Sequence, residues 1–221
     1  MSTITPHPAK YSDPIIDEVV KYLDKVKFKG FILDPNAGPG GVHRLATKKR
    51  QTIGVEIEPE WASMHNWTIC GDCLNLAKLG FIPRSIDCIF VSPCYANRMA
   101  DNFNAQDSSK RHTYRAYLGR EPTAGSSAVM QWGEKYRDFY REAWAESLKF
   151  LKKDGLFILN VSDHIRNKKV VPVTDWHKYT LESLGIKWVK EIPVYTRRQR
   201  HGENREARVD NEWVLIGKKR N

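Results

Sequence analysis

No run in this 221-residue chain approaches the roughly 18 consecutive apolar residues that a membrane-spanning helix needs. The opening residues, MSTITPHPAKYSDP, hold no apolar core of the secretory kind, so a cytoplasmic setting is expected rather than membrane insertion or Sec-type export. Cysteine is scarce. Cys70, Cys73, Cys88 and Cys94 fall within one short region, three of them in or beside β-like sequence, which suits reduced thiols rather than a disulfide framework. Cys70-x-x-Cys73 lacks the second pair that a structural zinc site requires and the seven histidines are scattered, so no metal is expected. The phosphate-cradling G-x-x-x-x-G-K-[ST] pattern and the kinase signatures are missing, which disfavours ATP hydrolysis. Acidic residues are outnumbered: 36 Lys and Arg stand against 26 Asp and Glu, for a net charge of +10. An anionic partner is favoured, although charge alone does not say which.

What is present is a regular alternation of strand and helix signals. Ile16, Val19, Val20 and Leu23 recur at helical spacing behind Asp13-Pro14, predicting a helix to about Lys27 with Asp13 as its N-cap. Phe31-Ile32-Leu33-Asp34 reads as a strand, followed by the glycine-rich turn Pro35 to Gly41 and a helix opening near Val42. Further strands are expected at Thr52 to Ile57, Trp67 to Cys70 and Ile86 to Val91, with a helix from Pro59. The near-continuous apolar run of the last of these is what a sheet covered on both faces requires. Residues 96–130 lose all periodicity and read as one long insertion. A helix then buries Tyr136, Tyr140, Ala143, Trp144, Leu148 and Leu151, stops at Asp154-Gly155, and feeds the strand Leu156 to Val161. A helix from Thr174 to Leu184 and two strands, Ile186 to Val194 and Glu212 to Gly217, complete the chain. The whole predicts one doubly wound α/β domain over residues 1–221, with a mostly parallel sheet.

In such sheets ligands bind beyond the carboxyl ends of the strands. At that edge Asp34-x-x-x-Gly38-x-Gly40 lets backbone approach a ligand closely, because glycine removes the Cβ obstacle. Glu56, about twenty residues on, is placed to accept from both hydroxyls of a ribose. Asp72, after the third strand, can accept from an adenine amine. Together these outline an adenosine-shaped site.

The fourth strand runs into Ser92-Pro93-Cys94-Tyr95, which resembles the [D/N/S]-P-P-[Y/F/W] tetrapeptide of S-adenosylmethionine-dependent DNA amino-methyltransferases. His7-Pro8-Ala9-Lys10-Tyr11 looks like that family's N-terminal cap, and the stretch from Ser92 through Asp163-His164 to Arg208-Val209 looks like small phage-encoded DNA methylases. The resemblance implies a Rossmann-like methyltransferase fold with a seven-stranded sheet ending in a C-terminal antiparallel hairpin. It implies S-adenosyl-L-methionine as cofactor, held by His7, Pro8, Lys10 and Tyr11, by Asp34, Asn36, Gly38 and Gly40, by Glu56 with Ile57, and by Asp72 with Cys73. It also implies catalysis by Ser92, Pro93, Cys94 and Tyr95 on an exocyclic amine of a base extruded from duplex DNA. Serine at the first motif position favours cytosine N4 over adenine N6.

Two departures stand out, Ser92 in place of Asp or Asn and Cys94 in place of proline. Cys94 occupies the second proline position and restores a backbone N–H there, and it reads as a small packing residue rather than a nucleophile. His164 reads as structural, with proton acceptance as the alternative. Two basic segments would hold DNA: Arg98, Lys110, Arg111, Arg115 and Arg120, interleaved with Tyr114 and Tyr117, and a later group including Arg197, Arg198 and Arg200. The insertion is short for an independent reader of sequence, so a second copy of the chain is a candidate partner. The rival readings are an RNA or protein-amide methyltransferase and a catalytically silent nucleic-acid-binding module on the same fold.

Overall fold

The computed structural model describes residues 6–101, 113–196, 209 and 211–220. Nine strands and five α-helices are described, and seven strands form one sheet. These seven are β1 (Gly30–Asp34), β2 (Arg50–Glu56), β3 (Thr68–Cys70), β4 (Ile86–Val91), β5 (Leu151–Val161), β8 (Ile186–Tyr195) and β9 (Asn211–Lys219), in the order β3-β2-β1-β4-β5-β9-β8. Strands β3 to β5 pair in parallel, and β9 pairs antiparallel with both β5 and β8. The strand order reverses beside β1, and the crevice at the carboxyl ends of β1 and β4 is where an open α/β sheet receives ligands.

Both faces of the sheet are covered, and the alternation within the strands shows why the apolar runs are continuous. Ile32, Cys88, Phe90, Leu156 and Ile158 point to one face, where α1 (Asp13–Lys25) packs Ile15, Ile16, Val19 and Leu23 against them. Leu33, Ile89, Val91, Phe157, Leu159 and Val161 point to the other, under α4 (Glu134–Phe150) and α5 (Val173–Ser183). Ser12, not Asp13, occupies the N-cap position of α1, and Asp13 is its first helical residue, ahead of Pro14. The connections between β1, β2 and β3 are shorter than the pattern suggested. The segment after the glycine turn is a 3₁₀ turn, Gly41–Leu45, rather than an α-helix. The helix α2 (Pro59–Ala62) is a single turn.

Three further differences concern the second half. The chain leaves α4 at Phe150 and enters β5 at once, so Asp154-Gly155 lies inside the strand, with Asp154 at φ 59°, rather than at a helix end. A hairpin of β6 (His164–Arg166) and β7 (Lys169–Val171), turning through Asn167 and Lys168 at positive φ, has no counterpart in the periodicity. The insertion is not featureless where described: it contains 3₁₀ turns at Arg98–Ala100 and Ser127–Val129 and the helix α3 (Tyr114–Leu118). Tyr114 and Ala128 pack on Trp61 of α2, which lays the insertion across the ligand edge of the sheet. Among the described residues no helix is long and apolar enough to cross a membrane.

Candidate active site

A cavity of about 990 Å³ opens at the carboxyl ends of β1, β2 and β4. It is lined by His7, Pro8, Lys10, Tyr11, Asn36, Gly38, Glu56, Ile57, Asp72 and Cys73 on one side and by Ser92, Pro93, Cys94 and Tyr95 on the other. Asp34 and Gly40 are not on its wall. Asp34 lies fully buried behind it, where its carboxyl accepts from the Tyr11 hydroxyl at 2.8 Å and from the Asn36 amide at 3.0 Å. It therefore ties the N-terminal segment to the glycine turn. Burial pushes its pKa up to about 7, against the lowering effect of those two hydrogen bonds. Gly40, at φ 84°, starts the 3₁₀ turn.

The glycine turn is fitted from both sides. At Gly38, φ 53° disfavours any side chain, and a Cβ would stand 3.1 Å from the His7 ring. At Gly54 on β2 a Cβ would meet that of Ala37 at 2.6 Å, so its absence lets the turn rest on the strand. Glu56 closes the arrangement, accepting from the Gly38 amide at 2.8 Å and the Glu58 amide at 2.9 Å. Each oxygen retains a lone pair beyond those bonds. Burial raises its pKa to about 7. Asp72 caps the turn that follows β3 by accepting from the Leu74 amide at 2.9 Å. The Asn36 side-chain oxygen is buried with no hydrogen-bond partner, while its nitrogen faces Cys73 Sγ at 3.6 Å. An acceptor left unmatched in a cavity wall is a place for a ligand donor.

The Ser92 to Tyr95 turn is held by groups that the sequence reading did not assign to the site. Cys94 donates its amide hydrogen to the Tyr140 hydroxyl at 2.8 Å, and its carbonyl accepts from the Tyr136 hydroxyl at 2.6 Å. The two tyrosines are one helical turn apart on α4, so one helix face grips both ends of one peptide residue. Behind Tyr136, Trp144 Nε1 donates to His177 Nδ1 at 3.0 Å, which leaves the imidazole proton on Nε2, 2.8 Å from the Tyr136 oxygen. The direction is then fixed throughout: indole to imidazole to phenol to the Cys94 carbonyl. Burial lowers the His177 pKa to about 3, which keeps the ring in the neutral form that this chain requires. Burial likewise raises the Cys94 thiol, and a neutral thiol is a poor nucleophile.

Tyr95 reaches the sheet's antiparallel end. Its hydroxyl lies 2.9 Å from Ser92 Oγ, 3.2 Å from Glu212 Oε2 and 3.4 Å from Asn160 Oδ1, and Asn160 Nδ2 donates to the same Glu212 oxygen at 3.0 Å. The β5–β9 register, which pairs Asn160 with Val214, brings these two polar residues to the cavity wall. A polar residue near the end of each of two apolar strands was the available signal. Asp163 and His164 also line the cavity; Asp163 accepts from the Thr174 amide at 2.7 Å and so starts α5.

The basic residues divide. Lys110, Arg111, Arg197, Arg198 and Arg200 lie outside the described residues, as does the Arg98 side chain. Arg115 and Arg120 form ion pairs within the protein. Arg115 pairs with Glu121 at 2.7 Å and donates to the Ala100 carbonyl at 3.1 Å. Arg120 bridges Glu58 at 2.9 Å and Glu60 at 2.6 Å. Glu58 is fully buried and also accepts from Thr123, so a cation there compensates a charge taken out of water.

No family model and no curated protein sequence matches the chain. Solved structures do. A 1,6-didemethyltoxoflavin-N1-methyltransferase from Burkholderia thailandensis, with bound 1,6-didemethyltoxoflavin and S-adenosylhomocysteine, superposes with a TM-score of 0.56 over 95% of this chain and 79% of its own, at 13% identity. An S-adenosylmethionine-dependent methyltransferase from Clostridium acetobutylicum gives 0.55 over 93% and 90% at 12% identity. The N-methyltransferase NodS from Bradyrhizobium japonicum gives 0.54 over 95% and 99% at 10% identity. At these identities the likeness establishes architecture: the chain has the Rossmann-like methyltransferase fold, with a seven-stranded, mostly parallel sheet and an antiparallel end.

Proposed function

We propose that this protein is an S-adenosyl-L-methionine-dependent DNA methyltransferase that modifies an exocyclic base amine, cytosine N4 in preference to adenine N6. One observation carries the reading: the Ser92-Pro93-Cys94-Tyr95 turn shares a single cavity with Gly38, Glu56 and Asp72. The residues fit the cofactor. Glu56 and Asp72 place carboxylates on the same cavity wall as the glycine turn, where a nucleoside's hydroxyls and amine would find acceptors, and the unmatched Asn36 oxygen suits an amino-acid ammonium. His7 and Tyr11 would close over the same end. Bound there, the cofactor supplies an electrophilic methyl on a sulfonium.

The chain's own groups then act on the acceptor. An exocyclic amine is a poor nucleophile because its lone pair is delocalised into the ring. Ser92 Oγ and the Pro93 carbonyl would accept hydrogen bonds from its two N–H groups, favouring a tetrahedral nitrogen with its lone pair free, and the one proton that the methylated nitrogen then sheds would leave to water. Tyr95 would stack on the extruded base. The tyrosine clamp on Cys94 would keep these acceptors still, so that little reorganisation remains in the transition state. DNA as substrate rests on the motif and on the net charge of +10.

The test is transfer of a labelled methyl group to duplex DNA, single-stranded DNA, RNA and protein, followed by mass spectrometry of the nucleosides. N4-methylcytosine is the expected product. Label only in RNA or protein would transfer the activity to one of the rival acceptors, and failure to bind S-adenosylmethionine would select the silent binding module.

A further inference from the structure

Resting on the amine-methylation reading above, we propose that Glu212 is a positioning residue that fixes the direction of the Ser92 hydroxyl, so that Ser92 presents only lone pairs to the substrate. A carboxylate oxygen can only accept. Glu212 Oε2 already accepts from Asn160 Nδ2 at 3.0 Å, and the Tyr95 hydroxyl, 3.2 Å away, can meet it only as a donor. Tyr95 has one hydroxyl hydrogen. Once it is given to Glu212, the 2.9 Å contact with Ser92 leaves the phenol oxygen as acceptor and Ser92 as donor. The serine hydrogen is thereby turned away along the chain Ser92 to Tyr95 to Glu212.

This polarity selects a substrate chemistry. An oxygen with its own hydrogen withdrawn accepts from an amine N–H and has nothing to offer a carbonyl or a ring nitrogen. Asn160 offers only longer acceptors for the same hydrogen, its Oδ1 at 3.4 Å and its carbonyl at 3.5 Å from the Tyr95 hydroxyl against 3.2 Å for Glu212 Oε2, and donation to any of them leaves Ser92 as the donor to Tyr95. A serine in the first motif position is otherwise ambiguous, since a free hydroxyl rotates to donate or accept. Aspartate needs no such arrangement, because it has no hydrogen to direct.

The experiment compares Tyr95→Phe, Glu212→Ala, Glu212→Gln and the double variant Tyr95→Phe/Glu212→Ala in steady-state methyl transfer to DNA. Phenylalanine keeps the stacking ring and glutamine keeps an accepting oxygen. Tyr95→Phe and Glu212→Ala should each lower kcat about 100-fold, with KM for DNA and Kd for S-adenosylmethionine little changed. The double variant should be no slower than either single one, and Glu212→Gln should recover most of the rate. Multiplying losses, or Glu212→Gln as slow as Glu212→Ala, would overturn the proposal. A substrate-free readout keeps the two levels apart: the Tyr95 ¹³Cζ resonance of the free protein should move in Glu212→Ala and stay in Glu212→Gln. If wild-type protein methylates no amine, the functional reading fails, while an unmoved resonance in Glu212→Ala defeats the wiring itself.

Discussion

At position 94 the chain carries an amide hydrogen where the tetrapeptides that it resembles have a proline, and the Tyr140 hydroxyl receives it. A clamp thus stands in for a ring. Tyr140→Phe leaves a donor in the cavity wall without its partner and should lower kcat roughly 10-fold. Cys94→Pro in that background removes the orphaned hydrogen and should restore much of the loss, whereas Cys94→Ser in the wild type should stay within several-fold of full activity. Loss of all transfer in Cys94→Ser with cofactor binding intact would reinstate the thiol as a nucleophile. Asp34 yields a second prediction. Its folded pKa of about 7 exceeds the unfolded value, so below the unfolded pKa its contribution is fully present. As pH rises from about 4 to about 7 the native state holds a proton that the unfolded state releases, and stability falls. Between pH 4 and pH 8 the wild type should lose on the order of 3 kcal/mol relative to Asp34→Asn, read from urea unfolding at both pH values. Parallel pH profiles would show that the buried carboxyl does not hold its proton in the folded state.

The insertion is the element whose role changes most between pattern and structure. Its arginines and tyrosines match a nucleic-acid-binding composition, yet Arg115 and Arg120 pair with Glu121, Glu58 and Glu60, and Tyr114 packs edge-on against Trp61 with centroids 5.9 Å apart. These contacts fasten residues 113–130 over the side of the cavity that Trp61 lines. Arg120→Ala should therefore destabilise the protein by about 1–2 kcal/mol, half of the pair being solvent-exposed, and should speed proteolysis within the insertion. It should leave the salt dependence of DNA affinity unchanged. A reduction in the logarithmic salt slope by about 1 would return Arg120 to the phosphate-binding set.

For the molecule as a whole, the proposed action on DNA implies an electrostatically driven encounter, to which the net charge of +10 would contribute. DNA affinity should fall steeply between low and physiological salt, with a slope of about −0.9 per phosphate neutralised. Salt-independent affinity would remove DNA from the proposal. The strands of the parallel half were legible as short apolar runs bounded by turn residues, while their order in the sheet was not. Glu56 and Ser92 stood out because each ends such a run, and Asp72 because it follows a short β-like segment and Gly71, all at the edge where open α/β sheets receive ligands. The hairpin β6–β7 was not legible, since three-residue strands carry too little periodicity to register. Nor were the roles of Tyr136, Tyr140, His177, Asn160 and Glu212, whose types alone suggest core or surface. Sequence by itself determined the alternation of elements and the chemistry at the strand ends, because burial periodicity and motif spacing are local. Only the tertiary structure decided which hydroxyl donates to which oxygen and which arginine is already paired, because those depend on partners dozens of residues away that folding alone brings within 3 Å or so of each other.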